Sequence, residues 1–110
     1  VQETDLAGHA QDLNKYAEKV MIVDKYIERI MNKMELNDIL FITADHGNDP
    51  THVGTDHTRE MVPLIMYSES HQGFGLLPMS QTFADIGTTI SDNFNTERPA
   101  NGVSLIEYLV

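Results

Sequence analysis

The run Ile39-Leu40-Phe41-Ile42-Thr43-Ala44 constrains the fold more than any other segment. It is continuous, apolar and rich in β-forming residues. A strand with one wet face alternates apolar and polar side chains, whereas a strand covered on both faces does not. The run therefore predicts a strand buried on both faces, the kind found in the parallel sheets of α/β proteins.

The flanking segments fit that class. Leu13, Tyr16, Val20, Val23, Ile27, Ile30 and Met34 recur at steps of three and four. That spacing predicts an amphipathic helix over 13–34 whose apolar stripe packs into a core. Asn37-Asp38 breaks the pattern. Residues 45–60 are polar and carry Gly47, Pro50 and Gly54, so they read as a loop. Met61–Tyr67 reads as a second strand, with Pro63 marking an edge or a strand start. Residues 68–79, with Gly73, Gly75 and Pro78, read as loop. A helix is expected over Thr82–Asn93, with Phe83, Ile86, Ile90 and Phe94 on one face. A polar turn over 95–101 and a short closing element over Val103–Leu109 complete the chain. The opening Val1-Gln2-Glu3-Thr4 reads as the tail of a strand, so the chain is expected to begin inside a larger protein. Helices alternating with strands give an α/β layout, in which sites form in loops beyond the C-terminal ends of strands. The loop opening at Asp45 lies there.

The 110 residues suffice for one small domain with a modest core. Seventeen acidic and seven basic side chains give a formal net charge of −10. That balance argues against nucleic acid or an anionic membrane as partner. Phosphate can still be handled where metal ions supply positive charge locally. The absence of cysteine excludes disulfides and thiolate metal sites. No apolar run approaches the roughly 18 residues of a bilayer span, and no secretory segment opens the chain. The cytoplasm is the default location.

The chemistry-bearing residues cluster. Asp45-His46 places a carboxylate and an imidazole where the strand opens into a loop, and Gly47 permits a turn there. Asp49, His52, Asp56 and His57 follow. Asp5 and His9 lie four apart, so a helical turn would put them on one face. Carboxylate and imidazole together suit Mn²⁺, Fe²⁺ or Zn²⁺ better than Ca²⁺. Each piece also has a plain structural reading. Asp5 can be a helix cap with His9 on the surface, and Asp45-His46 a hydrogen-bonded loop pair. His52 and His71 can be solvated, and Asp56 can merely orient the loop. The concentration of His46, His52 and His57 in one loop favours metal binding. Spacing supports a metal site there and leaves its substrate open.

Two longer stretches carry a resemblance. Thr43-Ala44-Asp45-His46-Gly47-Asn48-Asp49-Pro50-Thr51, followed by Gly54-Thr55-Asp56-His57-Thr58-Arg59-Glu60 and Val62-Pro63-Leu64, closely resembles the phosphopentomutases of the alkaline phosphatase superfamily. That superfamily also includes the cofactor-independent phosphoglycerate mutases. Thr82-Phe83-Ala84-Asp85-Ile86-Gly87 and Gly102-Val103-Ser104-Leu105 resemble the closing helix and C-terminus of the same family.

The resemblance implies that residues 1–110 are the C-terminal part of a metal-binding core domain. That core is alkaline-phosphatase-like, with a mostly parallel sheet flanked by helices. The N-terminal half and a cap domain would lie outside the chain. By the same resemblance, Asp45 and His46 look like ligands of one metal, and Asp5, His9 and His57 like ligands of the other. The family uses two Mn²⁺ ions, in a site that other divalent metals can enter. The implied reaction interconverts ribose 1-phosphate and ribose 5-phosphate through a phosphothreonine. No catalytic residue is expected within the chain, because the nucleophilic threonine belongs upstream. The implied partner is a small-molecule sugar phosphate; a chain lacking the first strands of its sheet would expose apolar edges, and so either associates with itself or is the remnant of a cleaved parent, with the oligomeric state left open. The four-residue step from Asp5 to His9 is closer to the phosphoglycerate mutase branch. A related mutase or phosphatase on another sugar phosphate or on phosphoglycerate is therefore an alternative, and a non-catalytic metal-binding module is another.

Overall fold

A computed structural model describes residues 1–71 and 75–109. Gly73, read above as part of a loop, lies outside the described residues. The chain divides into two compact units, Val1–Tyr67 and Ser68–Val110. Helices and strands are both present, in keeping with an α/β protein.

The first unit opens with helix α1, Gln2–His9, where a strand tail was expected. Glu3 and Asp5 lie in its first turn, where carboxylates complement the helix dipole. The Thr4 hydroxyl donates to the Val1 carbonyl at 2.8 Å, which closes that turn. The helix ends through Gln11, which adopts φ +53, a left-handed conformation more usual for glycine or asparagine.

Helix α2, Leu13–Met31, begins at Asp12, whose side chain accepts from the Lys15 amide at 2.9 Å. It stops three residues short of the expected end, and tighter turn bonds from Lys33 to Ile30 and Met34 to Met31 take over. The stripe does not form a core within this unit. No residue of α2 is buried; Leu13, Val20 and Ile30 are exposed, and Tyr16, Val23 and Ile27 are half-buried. The reason is length. At ~1.5 Å per residue, an eight-residue helix covers less than half of a nineteen-residue one.

Strands β1, Leu40–Thr43, and β2, Leu64–Tyr67, pair with Leu40 opposite Tyr67 and Thr43 opposite Leu64. The pair is antiparallel, whereas a mostly parallel sheet was expected. Parallel neighbours need a crossover, usually a helix. The segment joining β1 to β2 contains none and returns the chain directly. The strand expected to be buried on both faces is half-buried at Leu40, Phe41 and Ile42 and exposed at Thr43. Pro63 immediately precedes β2, so its missing N–H is spared from the ladder.

The second unit is built on helix α3, Ala84–Asn93, and a 3₁₀ turn, Ile106–Leu109. Its interior is mostly hydroxyls and one carboxylate. Asp85, Thr88, Thr89 and Ser91 of α3 are buried, while Phe83, Ile90 and Phe94 of the apolar face are exposed. The buried polar groups are satisfied. Asp85 accepts from the Val103 amide at 2.8 Å, the Gln81 amide at 3.2 Å and the Ser80 hydroxyl. Thr89 donates to the Asp85 carbonyl and accepts from the Leu105 amide. Leu105 and Leu109 supply its buried apolar side chains. Gly102 has φ +111, and a Cβ there would sit 2.5 Å from the Ala84 carbonyl oxygen.

The Ser80 hydroxyl and the Val103 amide hold the Asp85 carboxyl below the usual carboxylate range. The native state then binds fewer protons than the unfolded chain between the depressed value and about pH 4. This stabilisation is fully present above about pH 4 and is lost as pH falls through the depressed value. Asp85→Asn turns an acceptor into a donor facing other donors, and should cost about 1–3 kcal/mol at neutral pH. Denaturant titrations from pH 7 down to 2 should show this gap closing in acid. A gap independent of pH would refute the assignment.

Candidate metal centre

Helix α1 sets half of the centre. Asp5 and His9 stand one turn apart, with His9 Nε2 3.3 Å from Asp5 Oδ1. The loop between β1 and β2 supplies the rest. Its two arms meet at Gly47 and Thr58, where the Thr58 amide donates to the Gly47 carbonyl at 3.0 Å. This closure brings His46 against His57, rings stacked with centroids 3.4 Å apart. Gly47 is required by close approach, since a Cβ would lie 2.1 Å from Glu60 Oε2 and 2.7 Å from the Thr58 carbonyl. The buried Thr58 hydroxyl accepts from the Asp49 amide at 2.8 Å and donates to Glu60 at 2.5 Å. Asp49 in turn accepts from the Thr51 hydroxyl and amide, which draw its carboxyl below the ordinary range.

Side-chain bonds tie the loop to α1. Asn48 donates to both the carbonyl and the carboxylate of Asp5, at 2.9 and 2.8 Å. Gln11 donates to the His52 carbonyl at 2.6 Å. The His9 ring closes on the Thr55 carbonyl through Nδ1.

These bonds decide which imidazole nitrogens are free. A carbonyl only accepts, so a ring nitrogen bonded to one carries the proton. His9 Nδ1 bonds Thr55, and His46 Nδ1 bonds the Gly47 carbonyl at 3.1 Å. In the neutral rings both Nε2 atoms therefore present lone pairs, and both lie near Asp5 Oδ1, His46 at 3.9 Å. His57 Nε2 is 3.7 Å from the same oxygen and 3.1 Å from His9 Nε2.

The Asp5 carboxylate and the His9 and His46 lone pairs, gathered this closely, form a donor set of the kind that holds a cation. Ligand atoms ~2.1 Å from a cation stand about 3.0–3.4 Å apart in octahedral or tetrahedral arrangements. The observed spacings of 3.1–3.9 Å come close to that range. The residues thus fit a divalent cation of the first transition row. Among the described residues, donor atoms of Asp5, His46 and His57 all lie within 4.8 Å of one another. His9 flanks this set through Asp5. Asp45 flanks it through His46, with its Oδ1 3.6 Å from His46 Nε2 and its side chain 91% exposed. His46 thus stands between the Asp45 carboxylate and the group around Asp5.

Of the five residues expected to bind metal, Asp5, His9, His46 and His57 come together, and Asp45 meets them only through its neighbour His46. His52 joins through its backbone carbonyl, and its side chain and Asp56 stay outside the tight set. His71, in the second unit, bonds the Ser70 hydroxyl at 2.8 Å. Asn48, Gln11 and the Thr55 carbonyl were not given roles by sequence reasoning. Gly8, a glycine inside a helix one residue before His9, was the available hint of a close approach.

Comparison with known proteins agrees with this chemistry. A family model described as the metalloenzyme superfamily matches residues 1–98. A phosphopentomutase of Clostridium tetani (strain Massachusetts / E88) is 49% identical over 107 residues. The match takes in 96% of this chain and 27% of that relative, so the chain spans about a quarter of its length. No described helix is long and apolar enough to cross a membrane. A cluster of metal-type donors built by α1 and one loop, inside a match that covers most of the residues, places this chain in the metalloenzyme superfamily.

Proposed function

We propose that this chain supplies part of the two-metal centre of a phosphomutase that interconverts ribose 1-phosphate and ribose 5-phosphate. The observation that carries the metal reading is the convergence of the His9, His46 and His57 Nε2 atoms on Asp5 Oδ1. The substrate reading rests on the 49% identity to a phosphopentomutase. Asp45 and His46 are assigned to one Mn²⁺, and Asp5, His9 and His57 to its neighbour. The place of His46, between Asp45 and Asp5, supports two adjacent cations over two separate sites.

When bound, paired divalent cations neutralise phosphoryl oxygens and steady attacking and leaving oxygens during transfer. The residues of this chain hold that charge in place. Asp5 offers the anionic oxygen, and the carbonyls of Thr55 and Gly47 keep the His9 and His46 lone pairs aimed inward. Asp5, His9 and His46 are each about one-third exposed, which leaves the centre open to a sugar phosphate. The phosphorylated threonine is assigned to the part of the longer protein outside the region matched here. We further infer that the β1–β2 pair is an antiparallel margin of a larger, mostly parallel sheet, a combination common in α/β enzymes.

In the full-length protein, His57→Ala should abolish Mn²⁺-dependent turnover of ribose 1-phosphate, and His71→Ala should leave it intact. Equal effects in a coupled assay would undo the site assignment. The isolated 110-residue chain should bind Mn²⁺ weakly by calorimetric titration and show no mutase turnover. Turnover by the pure chain would refute the placement of the nucleophile elsewhere.

A further inference from the structure

We propose that Asn48 is a positioning residue whose amide sets the direction of the Asp5 carboxylate, and that Gly8 is glycine to make room for it. The proposal rests on the metal reading given above.

Asn48 sits on the loop two residues after His46 and is half-buried. Its Nδ2 donates two bonds to a single residue, one to the backbone carbonyl of Asp5 and one to Oδ1. Oδ1 is the same oxygen that faces His9, His46 and His57. An aspartate on an exposed helical turn ordinarily turns among several rotamers. Here the two bonds fix both ends of the side chain, its root through the carbonyl and its tip through Oδ1. The bonds also join the two elements that carry the donors, since Asp5 and His9 ride on α1 while His46 and His57 ride on the loop. Outer partners of this kind orient the ligands of a metal and tune their basicity.

Gly8 completes the arrangement. It lies in the last turn of α1, where alanine would ordinarily favour the helix. A Cβ at that position would fall 2.5 Å from Asn48 Cγ, 2.6 Å from Oδ1 and 2.8 Å from Nδ2. The whole amide group occupies the space a side chain would take. Any larger residue at position 8 therefore displaces the amide from Asp5.

The test is Mn²⁺ affinity of the full-length native protein, read as loss of the six-line electron paramagnetic resonance signal of free Mn²⁺. Thermal melts of the metal-free protein run alongside. Asn48→Leu keeps the branched shape and removes both donor bonds, and should weaken Mn²⁺ binding about 10–100-fold. Gly8→Ala should weaken it comparably while leaving helix content unchanged or raised, a combination that general destabilisation does not produce. The double variant should be little worse than either single change, because both act on the same bond pair. Gln11→Ala cuts a separate side-chain tie, from just beyond α1 to the loop, and should weaken Mn²⁺ binding far less than Asn48→Leu.

Unchanged affinity in Asn48→Leu, or equal loss in Gln11→Ala, would overturn the positioning role. Were Asn48→Leu to unfold, Gly8→Ala decides alone, and normal affinity there would overturn the proposal. Absence of Mn²⁺ binding by the wild-type protein would overturn the metal reading and this role together, which separates the two failures.

Discussion

The first unit is organised around one oxygen. Asp5 Oδ1 accepts from Asn48 and faces three imidazoles, and each of those contacts comes from a different direction of the chain. His9 arrives by helical periodicity, His46 by the end of β1, and His57 by the return of the loop through the Gly47–Thr58 bridge. The chain is acidic overall, so long-range charge does not draw more acceptors to this point. Neutral hydrogen bonds hold them there instead. The Thr58 hydroxyl, the Asn48 amide and the Gln11 amide each tie the loop at short range, where geometry matters more than net charge.

The second unit uses the same device for a different end. Among its described residues apolar burial is slight, and Thr88, Thr89, Ser91 and Asp85 line its interior; the side chains of Thr88, Thr89 and Asp85 bond backbone groups, and the Ser91 carbonyl accepts from the Thr96 hydroxyl. A buried polar group costs stability only when it lacks a partner. Bonds from Val103 and Leu105 amides to α3 side chains fix the descending chain residue by residue, which small apolar contacts would not do. In the second unit helix side chains capture the backbone of the descending chain, and in the first a loop side chain, Asn48, captures a helix.

This device explains what was legible in the sequence. The strand-to-loop switch at Asp45 and the one-turn spacing of Asp5 and His9 are local patterns that reappear in the structure; of the three loop histidines, His46 and His57 meet and the His52 side chain does not join them. Pairing direction is not local. The antiparallel return of β2 depends on the absence of a crossover helix, which an apolar run cannot reveal by itself. The stripe of α2 was a sound reading of periodicity, yet burial depends on a partner long enough to cover it, and α1 is not. Asn48 stood inside the motif without a visible role, because its bonds reach 43 residues back to Asp5. Gly8 carried the reciprocal trace of that contact, a helix residue with no side chain where one would be tolerated on helical grounds alone.

The orientation of the imidazoles bears on how the centre receives a cation. A backbone carbonyl accepts and never donates, so the partners of His9 and His46 do not depend on whether metal is present. Two lone pairs are therefore aimed before any ion arrives, and the energetic cost of holding acceptors together is met by the folding of the loop. An ion that enters meets donors already near their bonded spacing, so little reorganisation accompanies binding. Asp45 differs from the others in this respect. It is exposed and meets the group only through His46. The donors around Asp5 are thus tied by hydrogen bonds, whereas the Asp45 carboxylate stands in solvent.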